Sequence, residues 1–312
     1  MGDSFNVIFL GSSSFALPSL QVLLENGISP LIITKPDRPA KRGKKLQPTS
    51  VKERALQLNL PILQPSSLSD PNFKKSLKSE NPDLMISIAY GEYIPKEVLA
   101  IPRLGCINLH PSLLPKYRGA APVQRALMAG AKVTGVTIAY VEEDWDAGDI
   151  LLQETSPIDP NDNAGSLLNK LAIQGGELLL KTLHILKEGR VKAEPQDHSK
   201  ATYAPKIKDE ETMIKWNQGA EEIRNFIRAL SPSPGARSKL NGMMIKISKA
   251  KVIPGSGDSP GKIVELEKEG PVVSTKQERL LLLEVQPENR KLISGKDFIN
   301  GNRLQVGQTF ES

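Results

Sequence analysis

Apolar residues fall into two rhythms along this chain. The first is the short unbroken run. Residues 6–10 (NVIFL), 31–34 and 83–89 (DLMISIA) are almost wholly apolar, as parallel strands buried on both faces are. Residues 61–63 and 105–109 read as two more strands, and 136–141 and 150–153 as a further pair. The second rhythm is helical. Leu17, Leu20, Leu23 and Leu24 follow the first strand, with Ser14 placed to cap the helix and Gly27 to end it. Residues 51–58 resume a helix. Residues 166–187 form a long one, with Leu167, Leu168, Leu171, Leu178, Leu179, Leu183 and Leu186 on one side and His184 off that stripe. A strand–turn–helix opening of this kind predicts an α/β domain over residues 1–189.

The pattern then lapses. Residues 190–208 have no apolar period and contain Pro195 and Pro205, so they read as a linker in which His198 is solvated. Ile223, Phe226, Ile227 and Leu230 restore helical spacing over 220–230. SPSPG breaks that helix, and short β-like runs follow at 243–247, 261–266, 272–275 and 280–285. Several short strands separated by turns predict a small OB-like β-barrel over residues 209–312.

Composition narrows the class. A chain of 312 residues with 39% hydrophobic and 24% charged residues can build a core in each of two domains. Aromatics at 4% argue against a stacking platform for single strands. No apolar run reaches the ~20 residues of a membrane span. The opening MGDSFNVIFLG lacks a basic leader and runs straight into a strand, which predicts a cytoplasmic protein. Cys106 is the one cysteine, so no disulfide forms within the chain, and it reads as a buried packing residue. No Cys/His spacing suits a metal. Gly11 stands alone where a dinucleotide fingerprint needs three glycines, which excludes NAD.

Charge is concentrated. Between residues 35 and 52, Lys35, Arg38, Lys41, Arg42, Lys44, Lys45 and Lys52 face Asp37 alone, an excess equal to the net charge of +6 for the whole chain. Pro36, Pro39, Pro48 and Gly43 keep this loop from regular structure. An ordinary run of this type is a solvated face. Its position after a strand near a candidate site predicts instead that it contacts phosphates.

The candidate chemistry sits at residues 108–119. Asn108 and His110 are two apart on a strand, so both point to one side. Pro111 stops the strand, and open α/β sheets place ligands at such ends. An amide and an imidazole, with no nucleophile beside them, suit acyl transfer to an amine that the substrate supplies. In isolation such a pair is more often a turn-closing Asn and a satisfied His. Asp146 alters the balance: it lies in a Gly-containing turn between two apolar runs, where a carboxylate can orient and charge the imidazole.

The ordered set N-x-H-P-S-L-L-P-x-Y-R-G at 108–119, TGVTI at 134–138 and D-x-G-D at 146–149 resembles the 10-formyltetrahydrofolate-dependent formyltransferases. The resemblance implies an open, mainly parallel Rossmann-like sheet and a catalytic trio of Asn108, His110 and Asp146. It also implies a folate site at Tyr90, Gly91, Ile94, Ser112, Leu113, Leu114 and Pro115, and no metal. YAPKI at 203–207, Trp216, IRAL at 227–230, PGA at 234–236 and residues 296–310 are similar to the members that formylate methionyl-initiator-tRNA. For those members the resemblance implies tRNA contacts at Arg38, Lys41, Arg42, Lys44 and Lys45, with Arg42 foremost, and a C-terminal barrel that helps hold the tRNA. A monomer is expected. The rival expectations are a sugar-nucleotide N-formyltransferase and a tRNA-binding protein without catalysis.

Overall fold

A computed structural model describes residues 5–39, 46–257 and 259–312. The strands of the first half are β1 (Val7–Gly11), β2 (Leu31–Ile33), β3 (Arg38–Pro39), β4 (Leu46–Gln47), β5 (Ile62–Leu63), β6 (Leu84–Ile88), β7 (Cys106–His110), β8 (Val133–Tyr140) and β9 (Ile150–Pro157). Its helices are α1 (Leu17–Glu25), α2 (Ser50–Gln57), α3 (Pro71–Ser79), α4 (Lys96–Leu99), α5 (Pro122–Met128) and α6 (Ala164–Lys187).

Seven of these strands form one sheet in the order β5-β2-β1-β6-β7-β8-β9. The first five run parallel, and β8 and β9 are antiparallel additions. Every residue of β1 and β6 is buried, as their unbroken apolar runs require of central strands. The edge strand β9 is instead only part-buried, with Leu151 and Ser156 inside and Gln153, Thr155 and Pro157 exposed. Ile8, Leu10, Ile33, Met85 and Cys106 share one core cluster. Burial there pushes the Cys106 thiol above its usual range, so it stays a packing residue.

Two local expectations are corrected, and one helix was not foreseen. Ser14 does not cap α1: it opens a short 3-10 turn, Ser14–Ala16, and Ala16 is the cap residue. The loop after β2 does carry regular structure, because Arg38 pairs with Gln47 and Pro39 with Leu46. A two-stranded ribbon accepts a proline, having free edges on both sides. And α3 is a helix that apolar spacing does not reveal, with Leu77 its one buried residue. Its start is set by Asp70, whose carboxylate accepts from the Asn72 and Phe73 N–H groups at 2.7 and 3.2 Å.

The chain divides into two compact units. One holds residues up to Pro122, Val133–Pro157 and Leu168–Pro205; the other holds Val123–Lys132, Ile158–Leu167 and Lys206–Ser312. The second unit contains α7 (Ala220–Leu230), β10 (Ala236–Leu240), β11 (Met243–Ile253), β12 (Ile263–Leu266), β13 (Pro271–Ser274), β14 (Arg279–Pro287), β15 (Ile293–Ser294), α8 (Gly295–Asn302) and β16 (Phe310–Glu311). Its strands run in the order β12-β13-β14-β11-β10-β16, with β15 on β14. An antiparallel bridge from Lys262 to Thr309 joins the two ends of that order, so the sheet curls as a half-barrel. Ile223, Ile227 and Leu230 of α7 pack into its core with Trp216, Ile245, Leu282 and Phe310. β10 escapes the apolar pattern because its inward position 238 is a serine. Ser238 Oγ accepts from the Trp216 indole N–H at 2.9 Å and donates to the Glu311 carbonyl at 2.6 Å.

Candidate active site

β7 delivers two side chains to one place. Ile107 and Leu109 point into the core, and the alternation that sends them there turns Asn108 and His110 the other way. Asn108 is half-buried and His110 is buried. On β8, Ala139 lies opposite Asn108 and Thr137 opposite His110.

Beyond His110 the chain turns back on the strand end. Thr137 Oγ1 donates to Ser112 O at 2.6 Å and accepts from the Leu114 N–H at 3.2 Å and from Gln153 Nε2 at 2.9 Å. Gln153 Nε2 also donates to Leu114 O at 2.7 Å, and Ser112 Oγ to Lys116 O at 2.6 Å. Gly135 of β8 makes room for this loop, since a Cβ there would collide with the Glu154 carbonyl and with Leu113 at 2.6 Å. Tyr117 takes φ +60°, and its carbonyl accepts from His110 Nε2 at 3.0 Å.

Asp146 arrives from the β8–β9 connection at φ +54°. Its Oδ1 accepts from Asn108 Nδ2 at 3.4 Å and lies 3.6 Å from His110 Nδ1. Its Oδ2 accepts from the Gly119 N–H at 2.8 Å. The structure therefore brings Asn108, His110 and Asp146 together, and the carboxylate approaches the ring directly.

Tyr90, Gly91 and Ile94 follow β6, and Ser112, Leu113, Leu114 and Pro115 follow β7. These are parallel neighbours with Ser87 beside Asn108, so both segments leave the same edge of the sheet. Tyr90, Ile94, Ser112 and Leu114 are buried, Leu113 and Pro115 half-buried. Burial, with Glu92 nearby, pushes the Tyr90 hydroxyl up to about 12, so it stays protonated at neutral pH. Lys35 Nζ donates to Gly91 O at 2.7 Å and lies 5.9 Å from the centre of the Tyr90 ring. Arg38 is exposed and meets Glu92 at 3.7 Å. Lys41, Arg42, Lys44 and Lys45 lie outside the described residues.

Sequence reasoning missed the residues that hold this arrangement. Residues 196–204, part of the stretch read as a linker, run along residues 115–121. Thr202 N–H donates to Pro115 O at 3.2 Å, Arg118 N–H to Thr202 O at 2.8 Å, Ala204 N–H to Arg118 O at 2.7 Å and Ala121 N–H to Ala204 O at 3.0 Å. Thr202 Oγ1 accepts from the Tyr117 N–H at 2.8 Å. Gly119 sits at φ +116°, and a Cβ there would lie 2.9 Å from Ala204 O. His198 is exposed, as its setting suggested, but its Nδ1 also accepts from the buried Arg118 at 3.3 Å. Main-chain pairing of this sort has no apolar period, so no hydropathy signal could have found it.

Two family matches span most of the chain: residues 5–183 match Formyl transferase, and residues 206–303 match Formyl transferase, C-terminal domain. The methionyl-tRNA formyltransferase of Thermodesulfovibrio yellowstonii is 44% identical over 305 residues, covering 97% of this chain and 98% of its own. That of Syntrophus aciditrophicus is 43% identical over 307 residues, covering 97% of each. Among solved structures, the sugar 3N-formyl transferase WlaRD, crystallised with dTDP and 5-N-formyl-THF, superposes with a TM-score of 0.68. It is 21% identical and covers 93% of this chain and 100% of its own. At that identity the likeness is one of fold.

Proposed function

Since the chain belongs to the formyl transferase family, in its methionyl-tRNA formyltransferase branch, we propose that Asn108, His110 and Asp146 move a formyl group from 10-formyltetrahydrofolate to the α-amine of methionyl-initiator-tRNA. The product serves translation initiation. One observation carries the residue assignment: a single carboxylate oxygen, Asp146 Oδ1, faces both the Asn108 amide at 3.4 Å and the His110 ring at 3.6 Å.

The chemistry is set by the hydrogen bonds. Tyr117 O accepts from His110 Nε2, so in the neutral ring the lone pair is on Nδ1. Nδ1 takes the proton that the attacking amine must lose. The imidazolium then lies against Asp146, whose charge stabilises it. The long Asn108–Asp146 bond is weak, so the amide is free to turn its N–H to the formyl oxygen and hold the developing negative charge. The donor, when bound, supplies an amide-like carbonyl carbon to the amine, and its carbon–nitrogen bond to the folate breaks as the proton held by His110 passes to the leaving nitrogen. Buried Tyr90, Ile94 and Leu114 with half-buried Leu113 and Pro115, beside a few polar groups, fit the flat ring system of that donor.

The basic stretch from Lys35 to Lys52 and the YAPKI and PGA sequences at 203–207 and 234–236 support a tRNA rather than a sugar nucleotide as acceptor. Phosphate contacts by Lys and Arg give affinity without base reading. The test offers 10-formyltetrahydrofolate with either methionyl-initiator-tRNA or a dTDP-amino sugar. Formylmethionyl-tRNA is the expected product. Formyl transfer to the sugar amine alone, or to neither acceptor, overturns the proposal.

A further inference from the structure

Asp146 takes a left-handed backbone conformation, which Asp and Asn adopt more readily than other side-chain-bearing residues. At φ +54° it is disfavoured against the right-handed and extended regions even so, and bonds from outside the turn hold it there. The turn has an internal bond of its own, Ala147 N–H to Asp144 O at 3.3 Å. The stronger hold comes from a side chain fifty positions away.

Gln196 is 5% exposed. Its Nε2 donates to the carbonyls of Asp146 at 2.9 Å and of Gly148 at 2.7 Å, one on the catalytic residue and one two residues on. Its Oε1 accepts from Arg118 Nε at 3.1 Å and from the Nη2 of the same guanidinium at 2.6 Å. Both amide hydrogens and the carbonyl oxygen are thus used. The orientation of the amide is fixed by its neighbours, because a guanidinium only donates and a backbone carbonyl only accepts. Arg118 itself is buried and adjoins Gly119, whose N–H holds Asp146 Oδ2 at 2.8 Å. Main chain and carboxylate of Asp146 are therefore gripped by one connected set of bonds.

We propose that Gln196 is the positioning residue of this active site, fixing the turn that aims the Asp146 carboxylate at Asn108 and His110. It touches neither the ring nor the amide, so it acts through Asp146. The inference rests on the proposed place of Asp146 in the catalytic trio. A misplacement of about 1 Å in a reacting group costs about 10²-fold in rate, and release of this turn is a displacement of that kind.

The experiment is a double-mutant cycle on kcat in the full-length protein, with KM for both substrates and the thermal midpoint alongside. Gln196→Leu is expected to lower kcat about 10²-fold with KM values little changed, and to add nothing in an Asp146→Asn background. Gln196→Glu keeps the acceptor for Arg118, and so the fold, but sets a carboxylate oxygen against two carbonyls; it is expected to lose kcat likewise. Equal losses with and without Asp146→Asn would show a merely structural role and overturn the inference. An Asp146→Asn effect without any Gln196 effect overturns it too, while leaving the Asp146 assignment standing. Full activity in Asp146→Asn removes that assignment and this inference with it.

Discussion

Asn108 and His110 reach the site by a different physical route from Asp146. The strand pair needs nothing beyond the pleat: Ile107 and Leu109 pack on one face of the sheet, and Asn108 and His110 must share the other. The carboxylate comes on a connection with no such constraint. It needs a left-handed residue, the Gly119 N–H and the Gln196 amide to stay where it is. Strand-borne groups are placed by hydrophobic burial, which is non-directional and simple to specify. A loop-borne group is placed by hydrogen bonds, each of net value about 1 kcal/mol, and so depends on several at once.

The largest effects break the trio itself. His110→Ala is expected to cut kcat for formyl transfer by about 10²–10⁴, with some loss of stability because the ring is buried, and Asn108→Ala by about 10²–10³, with a thermal midpoint close to that of the parent. Asp146→Asn should match the His110 loss. The contrast between routes then appears in stability: Asp146→Ala should melt below Asp146→Asn by an amount worth about 1 kcal/mol, because Asn tolerates the left-handed region and Ala does not. Equal midpoints for the two variants would mean that the turn is not under tension.

A second loop, the basic one, is proposed to carry binding rather than chemistry. Arg42→Ala is expected to lower kcat/KM for the tRNA by about 10- to 100-fold, the worth of a charge-assisted hydrogen bond. It should leave folate binding intact and make the salt dependence shallower by about 0.9 in log–log slope. Unchanged salt dependence would reduce that loop to a solvated turn.

Smaller changes test the segment 196–204 that runs along residues 115–121. Gly119→Ala places a methyl 2.9 Å from Ala204 O at φ +116° and should cost about 1–3 kcal/mol of stability, with a fall in kcat because the N–H on Asp146 moves. Thr202→Val removes the acceptor of the Tyr117 N–H. It should cost about 1 kcal/mol in denaturant unfolding, the smallest effect of the set.

The same division governs how far hydropathy reaches. Residues 6–10, 83–89 and 220–230 read correctly as a strand, a strand and a helix, the last matching α7 to the residue. Each buries an apolar face with the period of its own backbone. Asn108 and His110 share a face for that reason, and Asp146 is marked by its glycine-bearing turn. Arg118, Gln196 and Thr202 are polar side chains whose partners lie 50–85 positions away or on a non-periodic segment. Nothing local distinguishes them from surface residues. α3 and β10 escape for related reasons, one having a single buried leucine and the other a serine in an inward position.

The interleaving of the two units along the chain bears on how the molecule can be cut. Val123–Lys132 and Ile158–Leu167 precede residue 206 yet belong to the same unit as Lys206–Ser312. Arg228 donates to the carbonyls of Asp159 and Asp162 at 3.3 Å, Arg224 to that of Pro160 at 2.9 Å, and Arg125 pairs with Glu211 at 2.9 Å. A fragment stopped at Pro205 would keep two stretches whose partners had been discarded, and the complementary fragment would lack them. Swapping the C-terminal half between relatives is therefore a three-piece graft, and a chimera joined at one point inherits mismatched seams at the other two.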